Sequence, residues 1–119
     1  MKSENVLKTK SYAFALRIVK LYKHLTGEKK EFVLSKQVLR SGTAIGALIY
    51  EAEFGQSNPD FISKMSIALK EANETSYWLN LLKDSEYLTE TQFESIHEPC
   101  VELIKLLVSS IKTAKGSRE

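Results

Sequence analysis

Apolar residues recur along this chain at the spacing of α-helices, and no segment alternates long enough to indicate a β-strand. The pattern is densest around residues 37–54, where two apolar lines lie on different sides of one helix. The first line is Leu34, Val38, Ile45, Ile49 and Ala52, and the second is Phe32, Leu39, Gly46 and Tyr50. A helix that is apolar on more than one side is usually covered by more than one neighbour. We therefore predict that this segment is the central helix of a bundle, approached closely at Gly42, Ala44, Gly46 and Ala47.

Helix start and stop signals divide the chain into four helices. The first helix is predicted to begin at Thr9 or Ser11 and to end at Gly27, in the left-handed conformation. The second is predicted over about 29–54, before Gly55, and the third over about 59–85, after Ser57-Asn58-Pro59-Asp60. The fourth begins with the capping box Thr89-x-x-Gln92. Short connections favour neighbours that run antiparallel. The expected fold is an all-α, antiparallel up-down-up-down four-helix bundle, a single domain over residues 1–119 with an ordered core at about 9–114.

Pro99 lies inside the apolar pattern of the fourth helix. It lacks the N–H that would bond the carbonyl of Ser95, four residues earlier. The sequence therefore predicts a kink or a frayed first section in this helix.

The first helix, like the second, carries two apolar stripes. One is Tyr12, Ala15, Leu16, Val19 and Tyr22, and the other is Phe14, Ile18, Leu21 and Leu25. One bundle needs one buried stripe per helix, so the surplus predicts an interface between identical copies. The interface candidates are Phe14, Ile18, Leu21, Phe32, Leu39 and Tyr50. The alternative is a broad core that absorbs both stripes within one chain.

Charge modifies this picture only mildly. The net charge of +2 is too small to argue nucleic-acid binding, but residues 1–60 carry +4 and residues 61–119 carry −2. Five cations are candidates for nucleic-acid binding: Lys29, Lys36 and Arg40, expected on one helix face, and Lys20 and Lys23 on the first helix. In a ring these charges would repeat around the axis and could bind phosphate. The alternative is an ordinary solvated face.

Arg40, Glu51, Glu71 and Glu74 are candidates for a structural ion-pair network that fixes helix or subunit register. The rival interpretation is that Arg40 contacts phosphate. Breaking one side of a partly buried pair would be costly.

The sequence contains no recognisable catalytic, cofactor or metal site. A di-metal bundle needs two Glu-x-x-His pairs, and this sequence offers one, Glu94 with His97. Cys100 lies on the apolar line of the fourth helix, where burial would keep it a thiol. A single cysteine, no signal peptide and no stretch of 18 apolar residues favour a cytoplasmic protein without a membrane partner.

The chain resembles the four-helix-bundle proteins encoded in intervening sequences of bacterial 23S ribosomal RNA genes. The resemblance spans about residues 6–114 and is carried by Gln37, Arg40-Ser41, Ile45, Glu51-Ala52, Ser57, the run Ala68-Leu69-Lys70-Glu71-Ala72, Glu74 and Trp78-Leu79. It implies a ring, commonly of five subunits. Accessory proteins of diversity-generating retroelements look like relatives. This chain has Leu48 where the family usually has Asn, so any polar contact of that Asn would be absent.

Two functions follow as expectations. The first is a non-enzymatic homo-oligomer, a pentamer, that binds structured RNA or a ribonucleoprotein; its RNA part rests mainly on the resemblance. The second is a protein-binding scaffold or accessory subunit, for example of a polymerase, without direct nucleic-acid contact.

Overall fold

The computed structural model describes residues 2–116, with side chains from 6 to 116, as an all-α four-helix bundle. The helices are α1 (Lys2–Gly27), α2 (Leu34–Glu53), α3 (Asn58–Asp84) and α4 (Glu90–Gly116), and residues 2–116 contain no strand. Each helix packs on its neighbours in the chain and α4 closes on α1, whereas within residues 2–116 no Cα atoms of a diagonal pair of helices lie within 8 Å of each other. The predicted fold class is confirmed.

The helices alternate in direction, because the beginning of α1 lies beside the end of α2, and the beginning of α3 lies beside the ends of α2 and α4. Lys8 Nζ lies 2.9 Å from Glu53 Oε1, Lys64 Nζ lies 3.0 Å from Glu51 Oε1, and Asn58 Nδ2 donates to the carbonyl oxygen of Ala114 at 3.1 Å. These pairs join α1 to α2, α2 to α3 and α3 to α4. The arrangement is the predicted up-down-up-down bundle, about 50 Å long.

Side chains close the beginnings of α3 and α4 as predicted. Ser57 Oγ accepts from the backbone N–H of Asp60 at 3.2 Å, next to a proline in the first turn. At α4, the N–H of Gln92 donates to Thr89 Oγ1 at 3.1 Å, and the N–H of Thr89 donates to Gln92 Oε1 at 2.9 Å. This reciprocal pair satisfies two N–H groups that have no partner within the helix.

The predicted start of α2 is wrong by about five residues. The carboxylate of Glu31 accepts from the backbone N–H groups of Val33, Leu34 and Ser35 at 3.1, 2.9 and 2.7 Å. Three orphan N–H groups are thus satisfied by a residue three before the helix, and an acid is favourable at this end of the dipole. Lys29 consequently lies in the connection, not on α2.

The predicted end of α1 at Gly27 is confirmed, but its predicted start and the predicted conformation of Gly27 are wrong. The helix begins at Lys2, so Thr9 and Ser11 lie inside it, and Leu7 is part of the core. No described glycine has a positive φ, so Gly27 is not the left-handed residue. The left-handed positions are Lys30, at φ 56°, and Glu86, at φ 71°.

Glu86 sits where a glycine is normally preferred. The N–H of Tyr87 donates to the carbonyl of Leu82 at 2.8 Å, and the N–H of Glu86 donates to that of Lys83 at 3.0 Å. These two bonds form the Schellman motif at the end of α3, with Glu86 as its left-handed residue.

We therefore expect Glu86→Gly to raise the free energy of unfolding by about 0.5–1 kcal/mol, because it relieves the Cβ strain of that conformation. Chemical denaturation at one fixed protein concentration measures the change. Ser85→Gly is the matched control, since Ser85 has φ −92° and gains nothing from glycine. Equal effects of the two changes would contradict this account of the motif.

The fourth helix runs unbroken through Pro99, so its first section is not frayed. Pro99 leaves the Ser95 carbonyl without its helical donor, and Arg17 of α1 supplies one. Arg17 Nη1 donates to that carbonyl at 2.6 Å, and Nη2 donates to Ser95 Oγ at 2.7 Å. The two-pronged contact fixes the guanidinium on α4.

The core contains three residues expected at a subunit interface. Phe14, Ile18 and Leu21 are buried within the single chain, so the interface prediction is wrong for them. The physical reason is that α1 is rotated so that this stripe, and not the one with Tyr12 and Leu16, points at the other helices. Gly42 packs directly on Ile18, because a Cβ there would lie 2.7–2.9 Å from three Ile18 atoms.

Candidate nucleic-acid and subunit interfaces

An apolar surface remains exposed on the outer side of α1 and α2. Tyr12 is 67% exposed, Leu16 53%, Tyr50 54% and Phe54 64%. The rings of Tyr50 and Phe54 meet edge to face with centroids 5.3 Å apart, and Lys8 Nζ lies 5.3 Å from the Tyr50 centroid. Tyr12 and Leu16 follow Lys8 at intervals of four residues, so they share its side of α1. We call Tyr12, Leu16, Tyr50 and Phe54 the outer patch.

The remaining interface candidates, on α2 and just before it, differ in how exposed they are. Tyr50 belongs to the outer patch, and Phe32 is exposed in the connection between α1 and α2. Leu39 is half-buried and packs against the core. Sequence reasoning found two stripes on α1 but chose the wrong one, because both have similar apolar character. It therefore missed Tyr12, Leu16 and Phe54 as exposed surface.

Arg40, Glu71 and Glu74 come together between α2 and α3 within one chain. Arg40 Nη1 donates to Glu71 Oε2 at 3.3 Å, Nη2 lies 3.2 Å from Glu71 Oε1, and Nη2 donates to Glu74 Oε2 at 2.6 Å. The indole Nε1 of Trp78 also donates to Glu74 Oε2, at 3.0 Å. Glu51 is not part of this cluster, because it pairs with Lys64 instead.

The contacts within the cluster shift the pKa values of Arg40 and Glu74 so that the charged forms are favoured. Hydrogen bonds to Glu71 and Glu74 raise the pKa of Arg40. The Trp78 indole, followed by Arg40, lowers the pKa of Glu74. With its positive charge matched by two carboxylates, Arg40 is a poor ligand for phosphate.

The other nucleic-acid candidates lie around one end of the bundle. Lys20 and Lys23 are exposed near the end of α1, Lys29 is exposed in the following connection, and Lys36 is exposed in the first turn of α2. None of these four forms an ion pair with another residue in the described part of the chain. The single helical stripe predicted for Lys29, Lys36 and Arg40 does not exist, because α2 begins after Lys29.

The residues considered for catalysis are occupied by structural contacts. His97 is half-buried, stacks on Phe93 and lies 2.8 Å from Ser76 Oγ through its Nε2. Burial, and then the charge of Lys83, lowers the pKa of His97. Cys100 Sγ donates to the carbonyl of Ala72 at 3.4 Å, and burial raises the pKa of this thiol to about 12. Residues 2–116 contain no group of three metal-ligating side chains that could hold an ion.

We expect Cys100 to resist alkylation in the folded protein at pH 8. The thiolate is the reactive form, and a pKa of about 12 with full burial leaves almost none of it accessible. A thiol reagent followed by absorbance should report no reaction in buffer and one thiol per chain in denaturant. Rapid labelling of the folded protein would contradict the burial of this side chain.

Within the part of the chain that the structure describes, no helix is both long and apolar enough to cross a membrane. The fold and its contacts define an antiparallel four-helix bundle with an exposed apolar surface and a basic end.

Comparison with known proteins gives the particular family. The sequence pattern of the 23S rRNA-intervening sequence protein family matches residues 3–109, and the chain belongs to this family. A solved structure of a protein with unknown function from the S23 ribosomal protein family of Bacteroides thetaiotaomicron is also similar. It shares 62% identity and a TM-score of 0.91, with 92% of this chain and 98% of that chain covered. A search of curated proteins returned no match. Leu48 is half-buried and packs against the core.

Proposed function

We propose that the protein is a non-enzymatic homo-oligomer, a ring of five copies, that binds structured RNA or a ribonucleoprotein in the cytoplasm. The outer patch is the observation that carries this proposal. Four large apolar side chains on two adjacent helices are more than half exposed in one chain. Several large exposed apolar side chains on one side of a molecule usually mark an interaction site.

A second copy of the chain is the occupant we favour for the outer patch. The patch extends along the helices, as a helix-to-helix contact between subunits requires, and in a ring it would pack on a different surface of the neighbouring copy. The number five rests only on the resemblance noted in the sequence, which implies a ring that is commonly of five subunits. Cys100 is the single cysteine and is a buried free thiol, as is usual for proteins in a reducing compartment such as the cytoplasm.

The RNA part of the proposal is supported by the four cations at one end of the bundle. Lys20, Lys23, Lys29 and Lys36 carry charges that no described carboxylate neutralises. A ring would repeat this set around its axis and so concentrate a positive field that one chain lacks. Phosphate binding by such a surface releases counterions, so the affinity should fall steeply with salt.

The test couples assembly to RNA binding. Tyr50→Glu places a charge in the outer patch and should produce a folded monomer whose affinity for a structured RNA is at least about tenfold weaker, with the loss measured by filter binding. Tyr77→Glu is the matched control, because Tyr77 is an equally exposed tyrosine on α3 outside the patch. We expect the wild-type dissociation constant to rise at least about tenfold between 50 and 200 mM salt. No salt-sensitive RNA binding by the wild type would contradict the RNA half.

A protein-binding scaffold is the second candidate, and one observation favours it. Phe32 and Val33 are adjacent, exposed and apolar in the connection between α1 and α2. A partner helix could dock there. Such docking would fit the accessory role that the resemblance to retroelement accessory proteins implies. A partner protein retained on the immobilised chain after nuclease treatment, together with no direct RNA affinity, would favour this function over the first.

A further inference from the structure

An open groove of about 450 Å³ lies between α1 and the beginning of α4. This volume falls within the range of roughly 300–1,000 Å³ that is usual for small-ligand sites. Arg17, Lys20 and His24 line its α1 wall at intervals of three and four residues, so they share one helix face. No acidic residue lines the groove, so its charge favours an anionic occupant.

The guanidinium of Arg17 is a fixed, flat surface in this groove. Its two terminal nitrogens are held by Ser95 at 2.6 and 2.7 Å, and the reason is the missing N–H of Pro99. An arginine held at two points loses little further entropy when a ring stacks on its face. Arginine planes, like aromatic rings, are surfaces on which splayed-out RNA bases stack.

One further polar group in the groove has an atom available for a ligand. Gln92 Oε1 is held by the N–H of Thr89, so the orientation of its side chain is fixed and its amino group is the free end.

We propose that this groove binds one unpaired nucleotide of RNA, with the base on the Arg17 plane and the phosphate at Lys20. The amino group of Gln92 meets a polar atom of the nucleotide, and Leu21 and Ile96 provide an apolar floor. A site for a base needs a flat cationic or apolar surface and polar groups that meet the edge of the base. A site for a phosphate needs a cation without an ion-pair partner. The groove offers both within one nucleotide's length, whereas the basic end offers only charge. This inference rests on the proposed RNA binding and assigns it a specific site.

The test compares a stem-loop that has unpaired loop nucleotides with a blunt duplex of equal length. The wild type should prefer the stem-loop. Arg17→Lys keeps the charge but removes the plane, so the preference should fall about tenfold, the order that stacking of one base contributes, while the salt dependence stays. Lys36→Gln removes one charge outside the groove and should weaken both RNAs equally. An unchanged preference in Arg17→Lys would overturn the inference and leave general RNA binding intact.

A second variant guards against loss of folding in Arg17→Lys. Lys20→Gln changes an exposed side chain without a described ion pair, and it should also reduce the preference for the stem-loop. Melting temperatures of both variants, at one protein concentration, establish that they are folded. If Lys20→Gln is folded and keeps the full preference, the phosphate assignment is wrong.

Free nucleotide separates the failure of this inference from that of the proposed function. If the wild type binds no RNA, the proposed function fails, and the groove is tested with adenosine monophosphate by NMR. Shifts confined to residues 17–24 and the Gln92 side-chain amide would support a nucleotide site, and their absence would overturn it. Tighter binding of the free nucleotide than of the stem-loop would overturn the assignment to RNA.

Discussion

Replacing Arg40 with alanine is expected to lower the free energy of unfolding by about 2 kcal/mol. Glu71 is only 8% exposed, and within the described structure Arg40 is the one donor to its carboxylate. Breaking one side of a buried ion pair costs roughly 3–5 kcal/mol because the remaining charge is unpaired. The Arg40 side chain is 52% exposed, so solvent screening reduces that figure. Denaturation at fixed protein concentration measures the change.

Lys64→Ala is the control for Arg40→Ala. Lys64 also joins α2 to α3, through Glu51, but both members of this pair are well exposed. Its loss should change the free energy of unfolding by less than about 0.5 kcal/mol. Adding Glu71→Leu to Arg40→Ala should recover much of the lost stability, since the unpaired carboxylate is gone. Equal effects of the two single changes would show that burial of Glu71 has no energetic consequence.

Gly42→Ala is expected to destabilise the bundle by up to about 2 kcal/mol, which is an overpacking cost of about 1–3 kcal/mol less the gain of about 1 kcal/mol from the better helix propensity of alanine. The new methyl would lie 2.7–2.9 Å from Cγ1, Cδ1 and Cγ2 of Ile18, which is fully buried. A β-branched side chain on a helix has essentially one rotamer, so Ile18 cannot move aside. The overpacking cost therefore outweighs the gain in helix propensity.

A double-mutant cycle isolates this contact. Ile18→Ala alone creates a cavity and should cost about 2–5 kcal/mol, but it removes all three clashing atoms. Gly42→Ala should therefore become neutral or stabilising in the Ile18→Ala background, as unfolding of all four proteins would report. Additive losses would mean that the glycine serves another purpose than close packing of α1 on α2.

The helices and their caps were predictable because their causes are local. Ser57, Thr89 and Gln92 lie within three residues of the groups they bind, so the sequence shows both partners. The start of α2 was mispredicted because Glu31 resembles any surface acid until its three N–H partners are seen. Lys30 and Glu86 likewise give no sign of a left-handed backbone.

The surfaces were harder to predict because they depend on how each helix is rotated. The stripes with Phe14 and with Tyr12 are both apolar, and only the packing of α1 decides which one is buried. The Arg40 cluster was expected from residue type, yet Glu51 was placed in it wrongly because its helix position does not reveal Lys64 as the nearer partner. Arg17 was missed, although the missing donor at Pro99 already marked Ser95 as needing a partner.

The central claim is that copies of this chain cover the outer patch for one another. Light scattering during gel filtration tests it most directly, at micromolar concentration and physiological salt. We predict a particle of five times the 13.5 kDa of one chain, reduced to a single chain by Tyr50→Glu and unchanged by Tyr77→Glu. A wild-type protein that elutes as a 13.5 kDa monomer would contradict the account.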